Sequence, residues 1–332
     1  MRGRPSKLSV AMCTYNGAAY SPAQLESLAA QTRRPDELVV CDDCSTDETT
    51  ALLRAFAARA PFPVRLYVNK RNLGSTKNFE RAIELCTGDL IALCDQDDIW
   101  HPNKLARSEA ALAANPAAGL VFTDAEVIDD HTQPLGYRLW ECVRFDPARR
   151  ELFRRGRAFP LLLEDTFVTG TTLLFHAKFK ELILPIPTDI SIIHDAWIAC
   201  LISAVANLIM IDEPLLQYRR HGSQQIGVPF PPAEAQPGGL EALRAGVRRR
   251  VAFEASIRDL NIVRDRLVAR AGAYRLKAVM PLLEARIAHL QTRAALPARK
   301  LNRIPYVLRE LLSWRYHNYS KGWLSAAKDL LC

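Results

Sequence analysis

The chain has 332 residues, 49% of them hydrophobic and 24% charged. Those proportions exclude a wholly disordered chain and allow one large domain or two smaller ones. The net charge of +8 is unevenly spread: residues 241–332 hold 19 Lys and Arg against 7 Asp and Glu, so the remainder is slightly acidic and the tail strongly basic.

At the N-terminus, Arg2, Arg4 and Lys7 precede only a short apolar stretch, too brief for the core of a secretory signal. Residues 8–13 predict a strand and 22–31 a helix with Pro22 in its first turn. A strand follows over 37–41, then a helix over 47–59 that Ser45 or Thr46 would cap. Strands at 64–68 and 90–94 alternate with helices at 76–86 and 103–114, and a further strand begins at 120–123. Strand–helix alternation at this spacing predicts an α/β fold with a Rossmann-like, doubly wound, mostly parallel sheet. In such sheets ligands bind beyond the carboxyl ends of the strands. Four consecutive strands there run into polar clusters: Thr14-Tyr15-Asn16-Gly17, Asp42-Asp43-Cys44-Ser45, Asn69-Lys70-Arg71-Asn72 and Asp95-Gln96-Asp97-Asp98.

Residues 130–165, rich in charge and aromatics, read as a mobile loop region. A strand broken at Gly170 is expected over 167–175, a helix over 194–206, and a strand over 208–211 ended by Asp212-Glu213-Pro214. The longest apolar run, 196–211, contains Ser203 and Asn207 and falls short of the roughly 18 residues of a spanning helix. Pro229, Pro231, Pro232 and Pro237 with Gly238-Gly239 mark a linker. The organisation expected is therefore a domain over 1–228, a linker over 229–239 and a basic α-helical region over 240–332. The eight scattered cysteines look like reduced core thiols, which favours a cytoplasmic compartment. Cys41 and Cys44 have redox or zinc spacing, but no second pair or His cluster completes a site, and a buried strand end explains them better.

Three carboxylates within Asp95-Gln96-Asp97-Asp98, at the mouth of an apolar strand, repel one another unless a cation sits among them. Mg²⁺ or Mn²⁺ carrying diphosphate oxygens meets that need, because hard cations take carboxylates plus substrate phosphates. Asp42-Asp43 at the neighbouring strand end strengthens the reading, although each cluster alone is also what a solvated acidic turn looks like.

Ser9-Val10-Ala11-Met12-Cys13-Thr14-Tyr15-Asn16-Gly17, Gln31-Thr32 and Val39-Val40-Cys41-Asp42-Asp43-Cys44-Ser45-Thr46-Asp47 resemble the opening of the family 2 glycosyltransferases. Asn72-Leu73-Gly74, Thr87-Gly88-Asp89 and Asp95-Gln96-Asp97-Asp98-Ile99-Trp100 continue the pattern in order. It extends through Gly170-Thr171-Thr172, His194-Asp195-Ala196-Trp197 and Ile211-Asp212-Glu213-Pro214 to Tyr218-Arg219-Arg220-His221-Gly222, covering about residues 7–227. Asp-Gln-Asp-Asp-Ile-Trp with the late Tyr-Arg-Arg-His-Gly is similar to rhamnosyltransferase-like members of bacterial surface-polysaccharide pathways.

The resemblance implies the GT-A fold and transfer, with inversion, of a sugar from a UDP- or dTDP-sugar to a hydroxyl of a glycan or lipid-linked glycan (O-antigen, capsule or exopolysaccharide). Thr14, Tyr15 and Asn16 would line the nucleoside pocket. Asp42, with Asp43 as the alternative, would accept the N3–H of uracil or thymine. Lys77 would approach base or phosphate unless it is simply a solvated helix lysine. Asp97 would ligate the divalent metal, Asp95 the ribose or the metal, and Asp98 would orient its neighbours. Asp195, opening an apolar helix whose dipole favours negative charge, would be the catalytic base that takes the acceptor proton; an N-cap role is compatible. His221 is either a further metal ligand or a structural histidine. Thr171 and Thr172 would contact sugar or simply form a turn, and core packing is favoured over sugar stacking for Trp100 and Trp197.

In the tail, basic residues interleave with Leu, Ile and Val, and Trp314, Tyr316, Tyr319 and Trp323 cluster near the end. Such helices suit an anionic membrane surface, which would make the protein cytoplasmic and peripheral to the inner leaflet; packing on the core or dimerisation is the competing role. No nucleic-acid partner is expected. The other readings are a nucleotidyltransferase, which would want a Gly-rich basic loop after the first strand, and a non-catalytic membrane or nucleic-acid adaptor on the same fold.

Overall fold

The opening strands are apolar along their whole length, and that decides where they lie. Every residue of β1 (Leu8–Thr14) and β2 (Glu37–Asp42) is buried, as befits parallel strands covered by helices on both faces. The computed structural model describes residues 6–224, 227–231, 245–320 and 322–331. In it β1 pairs in parallel with β2, from Ser9 opposite Glu37 to Thr14 opposite Asp42. On its other side β1 pairs with β4 (Leu90–Cys94), and β3 (Val64–Val68) adds to β2. Between these strands run α1 (Ser21–Ala29), α2 (Thr49–Ala57) and α3 (Ser75–Leu85). Pro22 sits in the first turn of α1. Neither Ser45 nor Thr46 caps α2; Asp47 Oδ1 accepts the Thr49 N–H at 3.0 Å instead.

Beyond β4 come β5 (Ile99–Trp100), α4 (Lys104–Ala114), β6 (Ala118–Ile128), β7 (Pro134–Arg138) and the helices α5 (Leu139–Cys142), α6 (Pro147–Arg154) and α7 (Ala158–Glu164). Residues 130–165 are thus structured, not a loop region. The reason is tertiary: the rings of Phe145 and Phe167 stack 4.3 Å apart beside Phe122 and Trp140, a pocket no local periodicity announces. Gly170–Thr172 form a 3-10 turn where a strand was expected, and β8 (Leu173–His176) starts only after it. A short 3-10 turn and α8 (Lys180–Ile183) lead to α9 (His194–Val205) and β9 (Asn207–Arg219). β9 does not stop at Asp212-Glu213-Pro214. The register against β6 jumps from Thr123 opposite Ile211 to Asp124 opposite Pro214, so the turn-forming residues are absorbed as a bulge.

The sheet order is β3-β2-β1-β4-β8-β6-β9-β5, with β7 on β6. It is parallel across its first four strands and again between β6 and β9, and antiparallel where β8 joins β4 and β6. The α/β class read from the sequence holds. Cys13, Cys41, Cys44, Cys86, Cys94, Cys142 and Cys200 are all unbridged, and all but Cys44 are buried.

The chain divides into two compact units. The first takes in Met1–Leu152, Thr166–Thr188 and Ile193–Glu234; the second joins Phe153–Asp165 and Asp189–Ile192 to Ala235–Cys332. The second unit is helical: α10 (Ala245–Ala269), α11 (Met280–Ala294), α12 (Ile304–Leu312), α13 (Arg315–Tyr319) and α14 (Trp323–Leu331), with a 3-10 turn at Lys300–Arg303. Val307, Tyr316 and Ala326 centre a small apolar core there. The expected linker over 229–239 lies mostly outside the described residues. Among those described, no helix is long and apolar enough to cross a membrane.

Candidate active site

A parallel strand ends where its last apolar side chain leaves the sheet, so the residues that follow collect on one rim. Here that rim opens on a cavity of about 530 Å³, entirely within the first unit. Thr14 and Tyr15 reach it from the end of β1, Asp43 from β2, and Asp95, Gln96 and Asp97 from β4; His194 and Asp195 come from the start of α9. The segment after β9 adds Ser223 and Gln224.

Asp42 and Asp43 take opposite directions, as successive residues at a strand end do. Asp42 is fully buried and does not reach the cavity: Oδ2 accepts the hydroxyls of Thr14 (2.8 Å) and Ser45 (2.6 Å), and Oδ1 accepts Ser45 N–H (3.0 Å). Asp43 lies on the cavity wall, anchored by Asn69 Nδ2 at 2.6 Å and by the N–H groups of Leu73 and Gly74. Asn16 holds φ at 47° and ties two loops together, its Oδ1 accepting Thr46 N–H at 2.9 Å; it is not on the wall. Lys77 is paired with Glu80 at 2.8 Å along α3 and also stays off the wall.

The acidic loop is crowded. Burial, then the charges of Asp98, Asp97 and Asp195, raise the Asp95 carboxyl well above the usual carboxylate range. Burial and the Asp97 charge push Asp98 up to about 8. Asp98 Oδ1 accepts the Arg219 N–H at 3.0 Å. Arg219 clamps the loop from below: its Nε donates to Asp97 O at 2.8 Å and its Nη1 to Asp129 O and Thr132 Oγ1. Asp97 Oδ2 meets His221 Nε2 at 2.9 Å.

Among the described residues no three His, Cys, Asp or Glu side chains converge as a ready-made metal cage. Three carboxylates crowded into four residues, two of them on the cavity wall, nonetheless fit a hard divalent cation. Such a cation takes one or two carboxylates and fills its shell with substrate phosphates and water. Asp97 and Asp95 are the residues on the cavity wall that would hold it.

Asp195 sits in the first turn of α9, 5% exposed. Its Oδ1 accepts Ala196 N–H at 2.6 Å and its Oδ2 accepts Gly170 N–H at 2.9 Å. A carboxylate offers about four acceptor positions, so two remain for a proton donor in the cavity. Beside it His194, which sequence reasoning passed over as a site residue, stacks on Phe79 with centroids 4.2 Å apart and lines the cavity. Burial lowers its basicity, and its Nδ1 has no hydrogen-bond partner among the described residues. Gln96, also passed over, clamps the β1 exit: Oε1 accepts Tyr15 N–H at 2.8 Å and Nε2 donates to Tyr15 O at 3.0 Å. Its place inside the acidic motif was the signal available. Trp100 and Trp197 are core residues, their indoles donating to Thr171 Oγ1 and Ile183 O.

Comparison with known proteins bears on the fold and the family. The model of the family described as Glycosyl transferase family 2 matches residues 9–182. An uncharacterized protein of Mycobacterium bovis is 28% identical over 227 residues, 64% of this chain and 59% of that one. An uncharacterized glycosyltransferase of Nostoc is 25% identical over 219 residues, 65% of this chain and 66% of that one. The chain thus spans about three fifths of the length of the mycobacterial relative. Among solved structures, Staphylococcus aureus TarS 1–349 in complex with UDP-GlcNAc shares the fold with a TM-score of 0.52 at 16% identity, covering 97% of this chain and 90% of that one.

Proposed function

We propose that this chain, which belongs to glycosyl transferase family 2, moves a sugar from a UDP- or dTDP-sugar to a hydroxyl of a growing cell-surface glycan, inverting the anomeric centre. The observation that carries the reading is the delivery of Asp43, Asp95, Asp97 and Asp195 to one cavity by two strand exits and a helix start.

Asp43 is the better placed of the acidic pair to accept the N3–H of uracil or thymine, because it lies on the cavity wall while Asp42 is turned to Thr14 and Ser45. Thr14 and Tyr15 contribute the adjoining wall of the nucleoside pocket. Asp195, fixed by two backbone N–H groups, takes the proton of the acceptor hydroxyl as its oxygen attacks. Mg²⁺ or Mn²⁺ bound at Asp97 and Asp95 would offset the charge of the departing diphosphate. His221 either joins that set or orients Asp97. Rhamnose heads the candidate sugars, on the strength of Asp95-Gln96-Asp97-Asp98-Ile99-Trp100 and the late His221-Gly222. A lipid-linked acceptor would put the protein in the cytoplasm, at the inner face of the membrane.

The test is release of nucleoside diphosphate from UDP-glucose, UDP-galactose, UDP-N-acetylglucosamine and dTDP-rhamnose with Mg²⁺ or Mn²⁺ present. One donor should support turnover, and both Asp97→Ala and Asp195→Asn should abolish it. Turnover that survives both substitutions, or none with any nucleotide sugar, defeats the reading.

A further inference from the structure

The last helices expose apolar side chains in an ordered way. On α12, Ile304, Leu308 and Leu312 recur every fourth residue and all face solvent, while Val307 and Glu310 are the buried face. Leu301, 79% exposed, extends the row by one turn, and Leu312 is 82% exposed. Residues four apart stack on one side of a helix, so this is a continuous stripe. Two tryptophans are exposed in the same part of the unit. His317 lies between them, its ring centroid 4.9 Å from that of Trp314 and 5.6 Å from that of Trp323. The two indoles, 65% and 68% exposed, therefore occupy one place, with Leu324 next in sequence at 70%. A soluble surface seldom carries so many large apolar groups together without a partner.

Within the segment that carries them the exposed charges are of one sign. Between residues 295 and 332 there are seven Lys or Arg and two acidic residues, Glu310 and Asp329. Both acids are buried and paired, Glu310 with His289 and Arg315, Asp329 with Arg293. What remains at the surface is basic, including Arg299, Lys300, Arg309 and Lys328. Leucines to enter an acyl layer, indoles that settle at headgroup depth and cations to meet phosphate are the three requirements of an interfacial anchor.

We propose that this face, centred on Leu312, Trp314 and Trp323, docks the protein on an anionic lipid bilayer. It gives the membrane reading above its contact residues, and it does not depend on which sugar is transferred. A second copy of the chain is the poorer partner, since it would bring two basic surfaces together. Nucleic acid would meet the cations but leave the leucine stripe wet.

The experiment is co-sedimentation of the full chain with vesicles of phosphatidylcholine alone and of three parts phosphatidylcholine to one part phosphatidylglycerol. The protein should pellet with the anionic vesicles only, and less as salt rises. Trp314→Asn with Trp323→Ser should weaken that binding about tenfold with an unchanged thermal midpoint; Asn suits the φ of 59° at residue 314. Asp97→Ala should pellet like the unmodified chain, which separates failure here from failure of the transferase reading. Three results overturn the proposal: no pelleting with anionic vesicles, a double variant that binds undiminished, or a double variant that turns a dimer into a monomer in solution.

Discussion

His221 Nε2 lies 2.9 Å from Asp97 Oδ2, and the Tyr20 ring covers the imidazole with centroids 4.3 Å apart. The side chains of the pair are 4% and 14% exposed, so the histidine can hold Asp97 in one orientation. Groups that orient a metal-binding carboxylate are typically worth 10–100-fold in metal affinity or activity. His221→Ala is therefore expected to lower the rate about 10–100-fold and to raise the Mn²⁺ concentration giving half the maximal rate. The readout is diphosphate release against Mn²⁺. An unaltered metal titration would reduce His221 to a packing residue.

Gly17 permits the clamp at the β1 exit. A Cβ there would collide with Oε1 and Cδ of Gln96 and lie 2.9 Å from Ser21 Oγ. Gln96 is the side chain free to give way, and on leaving it would drop both hydrogen bonds to the Tyr15 backbone. The expected result of Gly17→Ala is a donor KM about tenfold higher, from the loss of roughly 1–2 kcal/mol of loop ordering, with kcat affected less. Gln96→Ala should reproduce it. Steady-state kinetics of both variants against the accepted donor decide the matter.

How much of this was legible follows from which interactions are local. Apart from the two-residue β5, which the sequence reading did not expect, the strands and helices from β1 to α4 agree with that reading to within about two residues, because apolar runs bounded by polar exits encode a buried parallel strand by themselves. The meeting of the Asp42-Asp43 and Asp95–Asp98 clusters was legible for the same reason, since topology alone sends successive strand ends to one rim; Asp195, at a helix start, was indicated only by the family resemblance. Choosing between Asp42 and Asp43 was another matter. Adjacent residues point apart, both are tied down by neighbours distant in sequence, and only the packed structure puts Asp43 and not Asp42 on the cavity wall. His194 gave no signal either, since its place depends on Phe79, far away in sequence. Residues 130–165 and the bulge at Pro214 share that character: their partners are on other strands.

Asp124 supplies a pH dependence of known sign. Its carboxyl is buried at the β6 bulge, its Oδ1 accepting the N–H groups of Ala125 at 2.8 Å and Trp140 at 3.1 Å. Burial pushes it up to about 6 from an ordinary 3.8. Between those values the folded chain holds a proton that the unfolded chain has lost, so this group makes folding more favourable as pH falls from above 6 towards 3.8. Above 6 the ionised form costs stability, on the order of 2 kcal/mol. Asp124→Asn keeps the acceptor oxygen and removes the charge, at the expense of a loose 3.8 Å pairing with Arg138. Its thermal midpoint should exceed that of the unmodified chain at pH 8, with the difference closing near pH 4. A constant difference across that range would show that Asp124 is not the titrating group.

The helical unit carries its own buried polar centre, and acid should find it first. His289 is fully buried, its Nδ1 2.7 Å from Glu310 Oε2 and its Nε2 2.9 Å from Ser320 Oγ. Burial lowers the imidazole's basicity despite the opposing Glu310. For Glu310, the hydrogen bond and charge of His289 outweigh burial and hold the carboxyl below its ordinary range. Both shifts have the same consequence. The unfolded chain binds more protons below about 6.5 for the histidine and below about 4.5 for the glutamate, so stability present at neutral pH is lost as pH falls through those values. Glu310→Leu leaves His289 and Arg315 without their carboxylate and should destabilise the unit by about 3 kcal/mol, whereas His289→Gln, which can still donate to Glu310, should cost less. Limited proteolysis of the full chain across pH 4 to 8 reads this directly: cleavage within residues 280–331 should rise as pH falls, and Glu310→Leu should show that cleavage already at pH 8. Equal resistance of the variant and the unmodified chain at every pH would mean that the apolar contacts of Val307, Tyr316 and Ala326 hold these helices without help from the buried pair.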